Sequence, residues 1–162
     1  WVSFFVLATA FGAYARIPMP FTPVPLTLQT FFVLLSGVYL GKKLGGLSQF
    51  LYFLFGGLGL PLFTSGGALW GPTGGYIVGF IFASWFVGFA IEKKLKVFYA
   101  LMLGDLILLS FGAFNLSFFV GGIKNAVVLG VLPFLVGDFI KILAVISVLN
   151  IKKCKQMLTF KF

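Results

Sequence analysis

The chain has 162 residues, the length of one domain, of which 60% are hydrophobic and only 9% charged. Soluble globular domains carry roughly 25% charged residues, so this composition excludes that class and points to a membrane protein. The net charge of +9 would suggest nucleic acid in a soluble protein, but these bases sit mostly at the ends of apolar runs, where membrane topology accounts for them and no nucleic-acid partner is expected.

The apolar runs do not alternate in polarity, which argues against a β-barrel and for membrane-spanning helices. The sequence predicts an all-α membrane protein, one domain over residues 1–162, with six transmembrane helices in a compact bundle. The first span runs from Val2 to about Ile17, and because the chain opens on Trp1 it is read as truncated at its start. Pro18, Pro20, Pro23 and Pro25 follow, a spacing that forbids regular helix and favours extended backbone. The second span, Leu26 to Leu40, is short against the roughly 20 residues that a perpendicular helix needs. Spans three to six are Leu44 to Leu60, Gly75 to Ile91, Val97 to Val120 and Phe134 to Ile151.

The lysines orient this layout. Lys42, Lys43, Lys93, Lys94, Lys96, Lys152, Lys153, Lys155 and Lys161 fall on one side, and only Arg16 and Lys124 on the other. The positive-inside rule then makes both termini cytoplasmic and turns the links 16–25, 61–74 and 121–133 outward.

Only three residues are acidic: Glu92, Asp105 and Asp138. Ionisable groups inside a bilayer are costly, roughly 2.5–3.5 kcal/mol each on insertion scales, and they mark functional sites by default. Asp138 and Lys141 share a helix face at i, i+3, one or two turns below the outer links. They can hold a ligand, or they can brace span six against its neighbours. Asp105 lies nearer mid-depth, and a structural role is the simpler reading for it. Gly71, Gly75, Gly79 and Ala83 recur every four residues and fit close helix packing within the bundle. Ala8 and Gly12 form a similar pair on span one, where internal packing and subunit contact weigh about equally. The turn Gly74-Gly75-Tyr76 offers backbone N–H groups at a helix start, suited either to an anion or to a plain cap by Pro72 and Thr73.

Chemistry beyond binding is not expected. The chain has no histidine and one cysteine, Cys154, so neither a metal site nor an internal disulfide can be built. Gly37 to Lys43 lacks the glycine spacing and the Ser/Thr of a phosphate-binding loop, so the chain does not hydrolyse ATP itself, and no catalytic set is available for an enzyme.

Three segments carry a resemblance: Ala15-Arg-Ile-Pro-Met-Pro-Phe-Thr-Pro-Val-Pro-Leu-Thr-Leu-Gln-Thr-Phe at 15–31, Gly71-Pro-Thr-Gly-Gly-Tyr-Ile-Val-Gly-Phe80, and Gly130-Val-Leu-Pro-Phe-Leu-Val-Gly-Asp-Phe-Ile-Lys141. In order and over nearly the whole chain they resemble the BioY family, the substrate-binding (S) components of energy-coupling-factor biotin transporters. The resemblance implies a multi-pass plasma-membrane protein of a prokaryote that captures extracellular biotin without a cofactor. It implies partners too: a transmembrane coupling subunit and two ATPase subunits that use the ATP. It further implies that Asp138, Lys141, Tyr76, Thr73, Phe63, Thr64, Ser65 and Gly66 form the biotin site, and that Ala8 and Gly12 face the coupling subunit. Biotin's chemistry is compatible: Asp138 can accept from the ureido N–H groups, Lys141 can donate to the ureido carbonyl or the carboxylate, and Phe63, Trp70 and Tyr76 can cover the apolar parts. Family members carry Asn or Arg near the third loop, where this chain has Thr64, Ser65, Gly66 and Gly67, and its sole arginine is Arg16. Either Lys141, hydroxyls and backbone N–H groups hold the carboxylate, or the chain prefers another small carboxylated heterocycle. A membrane scaffold braced by its charges is the alternative of a different class.

Overall fold

The structure, a computed structural model, describes residues 1–64 and 68–159, the last nine of these by backbone alone. Helices dominate: α1 (Val2–Tyr14), α2 (Gln29–Gly57), α3 (Gly74–Glu92), α4 (Val97–Ser117), α5 (Ile123–Gly130) and α6 (Leu132–Thr159). By length and composition, three helical stretches among the described residues can cross a membrane: Gly74–Glu92, Val97–Ser117 and Leu132–Asn150. Val2–Tyr14 is apolar but shorter.

The proline block ends α1 earlier than expected. Arg16–Ile17 (β1) leaves the helix and pairs antiparallel with Leu26–Thr27 (β2), with Arg16 opposite Thr27. The Leu28 N–H donates to the Gly12 and Ala15 carbonyls at 3.2 and 3.1 Å, so the returning strand also satisfies the open end of α1. The segment between is non-helical, as the prolines require.

Helix α2 is a hairpin rather than a rod. Gly41, at φ 72° and ψ −177°, breaks it into arms 29–40 and 42–57. That region of backbone space is essentially reserved for glycine. Gln29 Nε2 lies 2.7 Å from the Tyr52 hydroxyl, although 23 residues of straight helix would separate them by about 35 Å. The two arms correspond in sequence to the runs predicted as spans two and three, and the reversal falls at Gly41-Lys42-Lys43. Glu92 at the end of α3 clamps the turn: it accepts from the Lys42 backbone N–H at 3.2 Å and pairs with the Lys42 ammonium at 2.9 Å.

Small residues set how closely the helices approach. A Cβ on Gly79 would meet the Leu108 carbonyl at 3.1 Å, and one on Gly75 would run into Asn115 and Phe111. With Ala83 fully buried, the Gly75/Gly79/Ala83 stripe is thus the α3–α4 seam, internal packing as expected. Where α1, α2 and α3 meet, Gln49 lies fully buried with its amide nitrogen 3.2 Å from Ser36 Oγ and 3.3 Å from Thr9 Oγ1. Ser36 in turn bonds Ser84 at 2.8 Å, so one polar cluster joins α1, both arms of α2, and α3. The buried apolar side chains form two cores, one around Phe5, Leu34, Val87, Leu101 and Val145, the other around Val33, Tyr52, Phe80, Leu108 and Phe134, which borders a cavity.

One expectation changes here. Helix α5, eight residues inside the 121–133 link, was not predicted as an element. Ala8 and Gly12, expected to face a coupling subunit, are buried within the chain. A Cβ on Gly12 would meet the Gln29 backbone nitrogen at 2.9 Å, so this small residue serves the crossing of α1 over the start of α2. The outward side of α1 carries Phe4, Leu7, Phe11 and Tyr14 instead.

Candidate binding site

The cavity has a volume of about 230 Å³. Its walls come from every long helix except the body of α1, and from the two irregular links. The link before α2 contributes Pro23, Val24, Pro25 and Thr27; α2 gives Gln29, Thr30 and Tyr52; α3 gives Tyr76, Ile77 and Phe80; α4 gives Leu108 and Leu109; α6 gives Phe134, Asp138 and Lys141. Mostly apolar walls with a few convergent polar groups are the usual composition of a small-molecule site.

The deepest polar group is the Asp138–Lys141 pair. Lys141 Nζ donates to Asp138 Oδ1 at 2.8 Å, and Asp138 is only 2% exposed. One helical turn of α6 brings the two side chains together, and the Thr30 hydroxyl on α2 is a further hydrogen-bonding neighbour of Asp138. Oppositely charged and desolvated, each partner leaves the other with unused hydrogen-bonding capacity directed at the cavity.

The aromatic walls are held by their polar tips. Tyr76 donates its hydroxyl to the Gly130 carbonyl at 2.7 Å, and its ring fits against α4 where Gly112 leaves room. Tyr52 accepts from Gln29 and donates to the Leu62 carbonyl at 3.3 Å, while its ring meets Phe63 edge-on at 5.2 Å. With their hydroxyls engaged, Tyr52 and Tyr76 offer the cavity ring surface. Thr73 turns its hydroxyl to the Ala68 carbonyl at 3.1 Å, and Asn115 on α4 donates to the Gly71 carbonyl at 3.0 Å, which fixes the turn that precedes α3. The Gly74 and Tyr76 N–H groups bond the Gly71 and Thr73 carbonyls, so two of the turn's three donors are used in the helix start. At the mouth, Arg16 Nη1 donates to Thr64 Oγ1 at 3.1 Å.

Asp138, Lys141, Tyr76, Thr73, Phe63 and Thr64, singled out from the sequence, all line this one cavity. Ser65 and Gly66 lie outside the described residues. Trp70 does not line it: the side chain is 88% exposed, so it covers nothing in this arrangement. Sequence reasoning passed over Gln29, Thr30 and Tyr52, and treated Arg16 as a topological charge. The signal for Gln29 and Thr30 was their polarity at the start of an apolar run, directly after the proline block. Asp105 is buried on α4 about one turn from Leu108 and Leu109, outside the main cavity, with Oδ1 lacking a partner among the described residues. It borders a separate, more open hollow between α4 and α6, with Met102, Leu135, Phe139 and Ile142.

The chain was compared with known proteins. It is 43% identical over 150 residues to the biotin transporter BioY of Thermotoga maritima, covering 88% of each chain. To the probable biotin transporter BioY of Pyrococcus horikoshii it is 45% identical over 144 residues, 86% of each. Its fold matches a crystal structure of the S-component for biotin from an ECF-type ABC transporter with a TM-score of 0.81 at 27% identity, over 94% of this chain and 88% of that one. The BioY family pattern itself matches residues 1–158, and with these relatives it places the chain in the BioY family.

Proposed function

We propose that this chain is the biotin-capturing S component of an energy-coupling-factor transporter, and that the cavity closed by Asp138 and Lys141 is its biotin site. Membership of a transporter family, rather than of an enzyme family, supports uptake as the activity. The observation that carries the site is the buried ion pair facing a mostly apolar cavity of about 230 Å³. Biotin matches that division: its ureido group presents two donors and one acceptor, and its fused rings and chain are apolar. In this reading Asp138 accepts from the ureido N–H groups, Thr30 and Lys141 complete the polar end, and Tyr52, Phe63, Tyr76 and Phe80 enclose the rings.

The same reading has α1, both arms of α2, α3, α4 and α6 crossing a prokaryotic plasma membrane, with α5 in the outer link and both termini cytoplasmic. Lysine placement supports it: Lys42 and Lys43 sit at the α2 turn, and Lys93, Lys94 and Lys96 between α3 and α4, away from the cavity. The cavity then opens outward. ATP is used by two ATPase subunits joined through a transmembrane coupling subunit, and the chain needs no cofactor of its own.

Thermal unfolding of the purified chain with and without biotin, in the absence of nucleotide, tests the proposal. A ligand that binds only the folded state adds about 2.7 kcal/mol at 100 times its Kd. No stabilisation by excess biotin would sink the reading. Stabilisation instead by another carboxylated heterocycle in a competition panel would favour the alternative specificity, motivated by the uncharged Thr64 position.

A further inference from the structure

The cavity has a second polar end. Arg16 lines it at the mouth and is exposed, whereas Asp138 and Lys141 close it in the interior. The arginine is not a loose surface charge. Its backbone is fixed by pairing with Thr27, itself a lining residue, and its guanidinium reaches across the opening to Thr64 Oγ1 at 3.1 Å. All three acidic residues of the chain are committed elsewhere: Glu92 pairs with Lys42, Asp138 with Lys141, and Asp105 is buried on α4. Among the described residues Arg16 therefore keeps most of its five N–H donors without a carboxylate, at the edge of the site.

We infer that Arg16, positioned by Thr64, holds the carboxylate of the bound ligand, and that the Asp138–Lys141 pair takes the opposite, uncharged end. This rests on the biotin reading of the cavity and adds the direction in which the ligand lies. Three observations argue for it. Lys141 is already neutralised at 2.8 Å by Asp138, so a carboxylate brought there meets a like charge in a desolvated place. Arg16 offers a planar fork suited to two parallel bonds with a carboxylate, and it carries no such partner. Between the two ends the walls are apolar (Tyr52, Phe63, Ile77, Phe80 and Leu108), as an aliphatic chain between ring and carboxylate requires. The uncharged third loop then needs no replacement cation, because the arginine enters the site from the other side of the mouth.

Binding of biotin and of biotin methyl ester, which keeps the rings and chain but lacks the negative charge, tests the assignment. Hydrogen bonds to a charged group are worth about 10-fold or more in affinity, so wild type should prefer biotin over the ester by at least that factor. Arg16→Gln should lose the preference, binding the ester as wild type does and biotin about 10-fold more weakly, while Arg16→Lys should retain part of it. Lys141→Met should weaken both ligands by a similar factor and keep the preference. Discrimination that survives in Arg16→Gln, or that vanishes in Lys141→Met instead, overturns the assignment, as does a wild type that binds acid and ester equally. Failure of the wild type to bind either compound overturns the biotin reading itself, a different outcome from the misassigned end.

Discussion

Removing Asp138 should destabilise the chain far more than removing the pair. The two side chains lie 2.8 Å apart, with side-chain exposures of 11% for Lys141 and 2% for Asp138. At an effective dielectric constant of about 20, that separation corresponds to an attraction of about 6 kcal/mol. Desolvating each ion costs several kcal/mol, so the pair as a whole adds little to stability. Asp138→Ala keeps the cost of burying the Lys141 ammonium and deletes what offset it; such losses run about 3–5 kcal/mol. The double variant Asp138→Leu with Lys141→Met removes both ions and fills the space, and it should return to within about 1 kcal/mol of wild type. Biotin binding should be strongly weakened in both. Chemical unfolding in detergent, read alongside equilibrium biotin binding, separates the two quantities. A double variant as unstable as Asp138→Ala would refute the electrostatic reasoning. A double variant that is stable and still binds biotin fully would remove the pair from the site.

Two further predictions concern single positions. Gly41→Ala places a Cβ where φ is 72° and ψ −177°, and 3.2 Å from Glu92 Oε1; it should cost about 1–3 kcal/mol, and an unchanged unfolding midpoint would show that the α2 turn tolerates side chains. Asp105→Asn replaces a buried carboxyl, whose Oδ1 has no partner among the described residues, by a neutral group of the same shape. Its stability should be no lower than wild type, and a loss above about 1 kcal/mol would instead make Asp105 a counter-charge to the nearby α6 lysine.

How much was legible depends on whether a residue's chemistry or its neighbours decide its place. Asp138 and Lys141 were visible because few charges survive in an apolar run without a partner or a ligand, and one helical turn of spacing pairs them. The proline block and Gly41-Lys42-Lys43 announced breaks through local backbone rules, and the breaks fall there. Ala8 and Gly12 left packing and subunit contact open because a small residue permits a close approach without saying which helix approaches; within the chain, Gly12 meets the start of α2. Trp70 looked like a ring cover on composition alone, yet its orientation is set by the turn that Asn115 and Thr73 hold. Gln29 and Gln49 are the same residue type on the two arms of one hairpin. Only the fold shows that Gln29 reaches the cavity and Gln49 the polar cluster among α1, α2 and α3. Helix α5 was too short for any periodicity to stand out from its flanking glycines.

If the cavity is the biotin site, the charge pair that closes it also sets a threshold for admission. Asp138 and Lys141 satisfy one another at 2.8 Å, so a molecule that engages them competes with that contact. A compound that engages only one of the two strands the other in a desolvated setting, and it binds worse than its own contacts would indicate. Sites built this way reject near-analogues lacking a single donor or acceptor much more strongly than they reject analogues differing by a methylene. Selectivity would then come less from the shape of the aromatic walls than from two side chains that release each other only for a molecule able to replace both.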